Sequence, residues 1–205
     1  MRTLEVRGLR CSRGPVTLFR DVSFAVASGE WLAVRGANGS GKTTLLRCLA
    51  GLTQPDSGEV LWESTPVARN RSAFHEALSY GGHLAGIKDD LTADENLAAL
   101  VALRGRPVDA QSRRAALSRM GLDKRLHLPA RRLSAGQRRR IGLARLAVEG
   151  APLWALDEPL TALDDEGQRL FEHLLAEHLA SGGIAVIATH HALAPGPARE
   201  LRLGS

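Results

Sequence analysis

Apolar residues along this chain come in short runs. Thr3–Val6 and Val22–Val26 alternate apolar with polar side chains, the period of strands with one buried face. Trp31–Val34, Leu153–Leu156 and Ile184–Ala188 are continuous apolar runs, the pattern of short strands buried on both faces. Lys42–Ala50 has helical spacing, with Leu45, Leu46 and Leu49 apolar and Gly51 as its stop. From about Asp94 to Gly121 the spacing is again helical, through Leu97, Leu100, Val101 and Leu103 and then Ala116, Leu117 and Met120. Strand, helical block and strands again predict an α/β core interrupted by a helical subdomain.

The first chemistry lies between the Trp31–Val34 run and the Lys42–Ala50 helix. Gly36-Ala37-Asn38-Gly39-Ser40-Gly41-Lys42-Thr43 fits GxxxxGK[ST] without a mismatch. Glycines let successive backbone N–H groups curl around phosphate oxygens without a Cβ in the way. The helix that follows points its N-terminal dipole at the same anion. Lys42 reaches the β- and γ-phosphates, the Thr43 hydroxyl is placed to ligate Mg²⁺, and Thr44 extends the set of nucleotide contacts. A dinucleotide loop is excluded, because GxGxxG is absent.

The second lies where Leu153–Leu156 ends in Asp157-Glu158-Pro159. The C-terminal end of a parallel strand faces the ligand crevice. Asp157 is a candidate Mg²⁺ holder there, and Glu158 a candidate general base for water attacking the γ-phosphate. Taken alone, the same residues also fit a surface turn after a core strand. Trp154 reads as core.

Bulk properties alter this picture little. The chain has 205 residues, 44% hydrophobic and 24% charged, enough for one domain with a real core. Its net charge of +5 admits nucleic acid, an anionic membrane surface or phosphate ligands. Dispersed arginines with few aromatics argue against nucleic acid. Apolar runs are too short to cross a bilayer and no basic-then-apolar leader opens the chain, so a cytoplasmic protein is expected. Cys11 and Cys48 form no CxxC pattern and read as small buried side chains.

The third constellation is Leu133-Ser134-Ala135-Gly136-Gln137, followed by the basic helical run Arg138–Arg145. It resembles the LSGGQ signature of the ATP-binding cassette (ABC) ATPases, with Ala135 in place of the first glycine. A hydroxyl, a glycine and a helix start make another anion site, while the flanking arginines also fit a solvated charge run. Thr161-Ala162-Leu163-Asp164 is similar to the family's D-loop, and Thr189-His190 to its switch histidine. That resemblance spans nearly the whole chain. It implies an ABC-type P-loop core (about 1–82 and 146–205) with an N-terminal antiparallel β region and an inserted helical subdomain (about 83–145). It also implies ATP and Mg²⁺ as ligands and His190 at the γ-phosphate. Ser134, Gly136 and Gln137 would face ATP held by a second copy, giving a head-to-tail homodimer. A membrane-embedded permease would dock near Ile87–Leu103, on the cytoplasmic face of a bacterial inner membrane.

Two positions depart from the family. Where most cassettes place an aromatic against adenine, this chain has Arg10-Cys11-Ser12-Arg13-Gly14, leaving Arg13 to stack through its planar guanidinium. Where most carry a Gln before the helical subdomain, Tyr80-Gly81-Gly82 leads to His83, which fits a polar link to Mg²⁺ or a mere linker residue. Gly82–Lys88, Leu91–Leu97, Leu133–Arg140 and Asp157–Asp164 together resemble the ATP-binding subunits of the cytochrome c biogenesis (Ccm) systems, which implies a role in haem export. No haem-ligand pattern is present in the sequence itself. Alternatives are a motor for a different exporter, an ABC ATPase that moves no solute, and a non-hydrolysing switch. The presence of Lys42, Asp157, Glu158 and His190 argues against the last.

Overall fold

The computed structural model describes residues 2–82, 86–105 and 107–204. In chain order its main elements are β1 (Thr3–Arg13), β2 (Val16–Ala27), β3 (Trp31–Arg35), α1 (Lys42–Leu49), β4 (Ser57–Trp62), β5 (Thr65–Pro66), α2 (Arg71–Ala77) and β6 (Leu78–Gly81). There follow α3 (Ala93–Ala102), α4 (Ala110–Arg119), α5 (Ala135–Glu149), β7 (Leu153–Asp157), α6 (Asp165–Ala180), β8 (Ile184–Ala188) and β9 (Arg199–Arg202). They form two compact units. One comprises Met1–Gly82, Ala151–Glu158 and Ala176–Ser205, the other His83–Gly150 and Pro159–Leu175.

The first unit holds two sheets. One is antiparallel, ordered β2-β1-β4-β5. The other is parallel, ordered β6-β7-β8-β3-β9. The continuous apolar runs become β3, β7 and β8, the central strands of the parallel sheet, buried almost throughout. Alternate residues of these strands face the two sides. Leu32, Val34, Leu153, Ala155, Ile184 and Val186 pack into one core with Leu45, Leu46 and Leu49 of α1. Each fully buried leucine contributes roughly 1.5–3 kcal/mol of transfer free energy. Cys11 and Cys48 join the same core, and burial, with Cys11 alongside, pushes the Cys48 thiol up to about 12. It is an inert packing group.

In the second unit α5 packs against α3 and α4, burying Leu97, Val101, Leu117, Met120, Ile141 and Ala144. The helical spacing from Asp94 to Gly121 belongs to two helices and not to one. Gly105, at φ 70°, and Pro107 interrupt it, and Asp109 restarts it by accepting a cap hydrogen bond from the Ser112 N–H. Thr92 and Glu95 close a reciprocal capping box at the start of α3. Among the described residues no helix is long and apolar enough to cross a membrane.

In the first unit, the Trp154 indole stacks on the His178 imidazole, with centroids 3.7 Å apart and planes 9° from parallel. His178 Nε2 lies 3.1 Å from the Ile184 carbonyl oxygen, so the neutral ring donates there. Burial depresses its pKa from 6.5 to about 4. Between those values the unfolded chain binds a proton that the native chain does not, so stability is full at neutral pH and falls as pH drops from 6.5 toward 4. We expect a loss of up to about 2 kcal/mol between pH 7 and pH 5. Denaturant titrations at both pH values should show this loss in the wild type and a smaller one in His178→Phe. An identical loss in the variant would contradict the assignment.

Candidate nucleotide site

The parallel register builds the site in the first unit. Val34 of β3 and Asp157 of β7 both pair with Ala188 of β8, so three strand ends stand level. The chain leaves each on the same edge: into Gly36 after β3, Glu158 after β7 and Thr189-His190 after β8. Three candidate functional segments, far apart in sequence, therefore converge because parallel strands share a direction.

The loop from Gly36 to Gly41 has a backbone only glycine accepts readily. Gly36, Gly39 and Gly41 take φ of 149°, 83° and 97°. A Cβ on Gly36 would meet Ser40 Oγ at 2.5 Å and the Leu203 carbonyl oxygen at 2.6 Å. Ala37, Asn38 and Gly39 are exposed at the loop's crest, and Gly41 caps α1, which begins at Lys42. Thr43 and Thr44 follow in its first turn, Thr43 exposed and Thr44 half-buried.

Lys42 is buried, and its Nζ donates to the carbonyl oxygens of Gly36 (2.8 Å) and Ala37 (3.2 Å). It also lies 3.2 Å from His190 Nε2, and that nitrogen is 3.3 Å from Glu158 Oε1. These two contacts make opposite demands. Lysine only donates, so it needs the Nε2 lone pair; a carboxylate only accepts, so it needs an Nε2 proton. One nitrogen serves one of them at a time, and the ring's tautomer decides which.

Thr43 Oγ1 donates to Asp157 Oδ2 at 2.7 Å. A hydroxyl and a buried carboxylate side by side form an all-oxygen donor set suited to Mg²⁺, which takes few protein ligands and completes its shell with phosphate and water. Among the described residues no cluster of three or more His, Cys, Asp or Glu is placed to hold a metal. Burial, and then the Asp157 charge, raise the Tyr80 phenol. Glu158 has φ 48°, a left-handed backbone unusual for a non-glycine residue, which turns the chain sharply after β7.

Arg13 stands at the exposed end of β1, paired with Val16 across the β1–β2 turn. A Cβ on Gly41 would come within 3.1 Å of Leu18 and Phe19 of β2, so this hairpin backs the loop from Gly36 to Gly41. His83 lies outside the described residues. Sequence reasoning missed Arg35, whose Nη1 donates to the carbonyls of Thr189 and His191. Its signal was a lone charge closing a buried apolar run.

In the second unit, Ser134 caps α5. Its Oγ accepts from the Gln137 N–H, and Gln137 Oε1 accepts from the Ser134 N–H, both at 3.1 Å. Gln137 is thus occupied at the helix start, whereas the Ser134 hydroxyl keeps a proton to donate. Gly136 answers to packing: a Cβ there would sit 2.6 Å from the Ala162 carbonyl oxygen. Arg140, nearly fully buried, reaches Asp164 and also Glu166 Oε2 at 3.2 Å. That hydrogen bond holds the Asp164 carboxyl below its usual range. The signature helix and the 161–164 segment are therefore joined within one unit.

Residues 19–161 match the family model described as ABC transporter. The chain is 49% identical over 202 residues to a "Cytochrome c biogenesis ATP-binding export protein CcmA" of Nitrosococcus oceani, covering 98% of this chain and 92% of the relative. A protein of the same name from Nitrosomonas europaea is 49% identical over 190 residues, covering 93% and 89%. Among solved structures, the ATP-binding subunit of an ABC transporter superposes with TM-score 0.77 at 25% identity, covering 91% of this chain and 79% of that one. A bacterial ABC transporter cassette, described as dimeric, gives TM-score 0.85 at 21% identity, covering 98% and 94%.

Two effects oppose each other in Gly136→Ala. Alanine gains about 1 kcal/mol of helix propensity, but its Cβ collides with backbone, which costs roughly 1–3 kcal/mol. Because the obstacle is a carbonyl and not a flexible side chain, we expect the collision to win. Thermal denaturation should show a lowered Tm; an unchanged or raised one would show that the 162 segment yields freely.

Proposed function

The chain belongs to the ABC transporter family of ATP-binding proteins, and on that premise we propose that it is the ATP-hydrolysing motor of a bacterial inner-membrane complex for haem export and c-type cytochrome biogenesis. The observation that carries the ATPase part is the convergence of Lys42, His190 and Glu158 beside the Thr43–Asp157 pair on one sheet edge. The biogenesis part is supported by the 49% identity to proteins named for that process.

In this reading the backbone N–H groups of residues 36–41 and the α1 N-terminus cradle the phosphates of ATP. Lys42 exchanges the Gly36 and Ala37 carbonyls for phosphate oxygens, replacing neutral acceptors with anionic ones. Thr43 and Asp157 hold Mg²⁺, which supplies charge neutralisation at the phosphates. Glu158 orients water and takes up its proton, and His190, released by Lys42, donates from Nε2 toward the γ-phosphate. Arg13 contributes a planar face for adenine, and His83 remains a candidate link toward Mg²⁺. Catalysis is positioning and electrostatics, with no covalent intermediate.

One chain carries one phosphate loop and one signature. A second copy would bring its Ser134 hydroxyl and Gly136–Gln137 helix start to the ATP held by the first, giving a closed twofold pair. In this reading the chain works from a peripheral position on the cytoplasmic face with a separate membrane-embedded permease; among its described residues no helix is long and apolar enough to cross a membrane.

Deleting the gene in its host and staining membrane proteins for covalent haem tests the whole reading. We expect c-type cytochromes to disappear, to return with the wild-type gene, and to stay absent with Lys42→Ala, which removes the charge facing the phosphates. Full restoration by Lys42→Ala would contradict an ATP-driven role, and normal cytochromes in the deletion strain would contradict the biogenesis role.

A further inference from the structure

We propose that Arg35 is a positioning residue that sets the orientation of His190, an inference that rests on the nucleotide-site reading above. Arg35 is the last residue of β3, immediately before the phosphate loop, and its side chain is only 19% exposed. Nη1 donates to the Thr189 carbonyl at 2.8 Å and to the His191 carbonyl at 2.9 Å. The first carbonyl belongs to the peptide that leads into His190 and the second to the peptide after His191, so one guanidinium nitrogen spans the turn that carries the ring. The turn is closed from inside by the His191 N–H, which donates to Thr189 Oγ1 at 3.0 Å. Nη2 lies 3.5 Å from Glu200 Oε1 of β9, which anchors the far side of the guanidinium.

The chemistry suits arginine alone. Its fork is planar, permanently charged and rich in donors, so one group can hold two carbonyls and a carboxylate together. A lysine at this position offers one nitrogen on a flexible stem. The clamp matters because of what His190 must do. Its Nε2 sits between Lys42 Nζ (3.2 Å) and Glu158 Oε1 (3.3 Å), and a small swing of the ring would trade one contact for the other or lose both. Thr189 is fully buried and its N–H bonds to Val34 O, but the His190 side chain is half exposed. Its backbone is held by Arg35. The same strand end thus launches the phosphate loop and fixes the histidine that meets it.

The test is a double-mutant cycle in the full chain, reading Mg·ATP turnover and the affinity for trinitrophenyl-ATP in wild type, Arg35→Gln, His190→Ala and the double variant. We expect Arg35→Gln to lower kcat roughly tenfold while leaving KM and analogue affinity within about twofold, since the lost interaction acts on turnover and not on binding. Arg35→Lys should fall between the two and keeps the proposal testable if Arg35→Gln folds poorly. In the His190→Ala background Arg35→Gln should have no further effect. A full, multiplicative loss in that background, or parallel losses of kcat, affinity and Tm, would overturn the positioning role and leave the nucleotide site intact. Wild-type turnover by His190→Ala would overturn the role of the histidine itself, and the proposal with it.

Discussion

The site depends on one constraint, the parallel pairing of β7, β8 and β3. Because the three strands run the same way and stand in register through Ala188, their exits lie side by side. Glu158, His190 and the phosphate loop are brought together by that pairing and by nothing local, since 148 residues separate Lys42 from His190. The pairing is secured by continuous apolar strands, buried on both faces, with α1 packed against one side. A charge inside any of these runs would face the full cost of desolvation. The charges therefore sit just beyond the strand ends, where the chemistry needs them.

At that edge the protein stores its reactive groups in contact with one another. Lys42 is held by loop carbonyls, Asp157 by the Thr43 hydroxyl, and His190 Nε2 between a donor and an acceptor. A phosphate would replace the loop carbonyls at Lys42, and a magnesium ion the hydroxyl at Asp157, each with a partner of higher charge. Buried ions left unpaired cost several kcal/mol each, so mutual pairing lets the site persist without nucleotide and still favours nucleotide when it arrives. The second unit is wired differently. There Ser134 and Gln137 satisfy each other, and Arg140 ties the signature helix to Asp164. Its role in this account is to present a preformed helix start to another copy.

Much of this was legible in the sequence, for identifiable reasons. The loop from Gly36 to Lys42 announces itself because its glycines fall where the backbone takes positive φ. The three apolar runs announce buried strands because each is only four or five residues long, too short for a buried helix. Other features depend on tertiary context. The long helical spacing after Asp94 concealed a break, because Gly105 and Pro107 fall between two segments with the same period. Gly136 reads as a phosphate contact from its motif, yet the nearest constraint on it is the Ala162 carbonyl. The reach of Arg35 across to the Thr189–His191 turn depends on β8 lying next to β3, an order no local pattern encodes.

The central claim is that this chain forms half of an ATP site and that a second copy completes it. The most direct measurement is the solution mass of the Glu158→Gln chain by light scattering, with and without Mg·ATP, together with the bound nucleotide per chain. Removing the general base while keeping the fold should trap the closed state, so the account predicts a monomer that becomes a dimer holding two ATP molecules. A Glu158→Gln chain that stays monomeric at saturating Mg·ATP and hydrolyses it at the wild-type rate would contradict both the shared site and the assignment of the base.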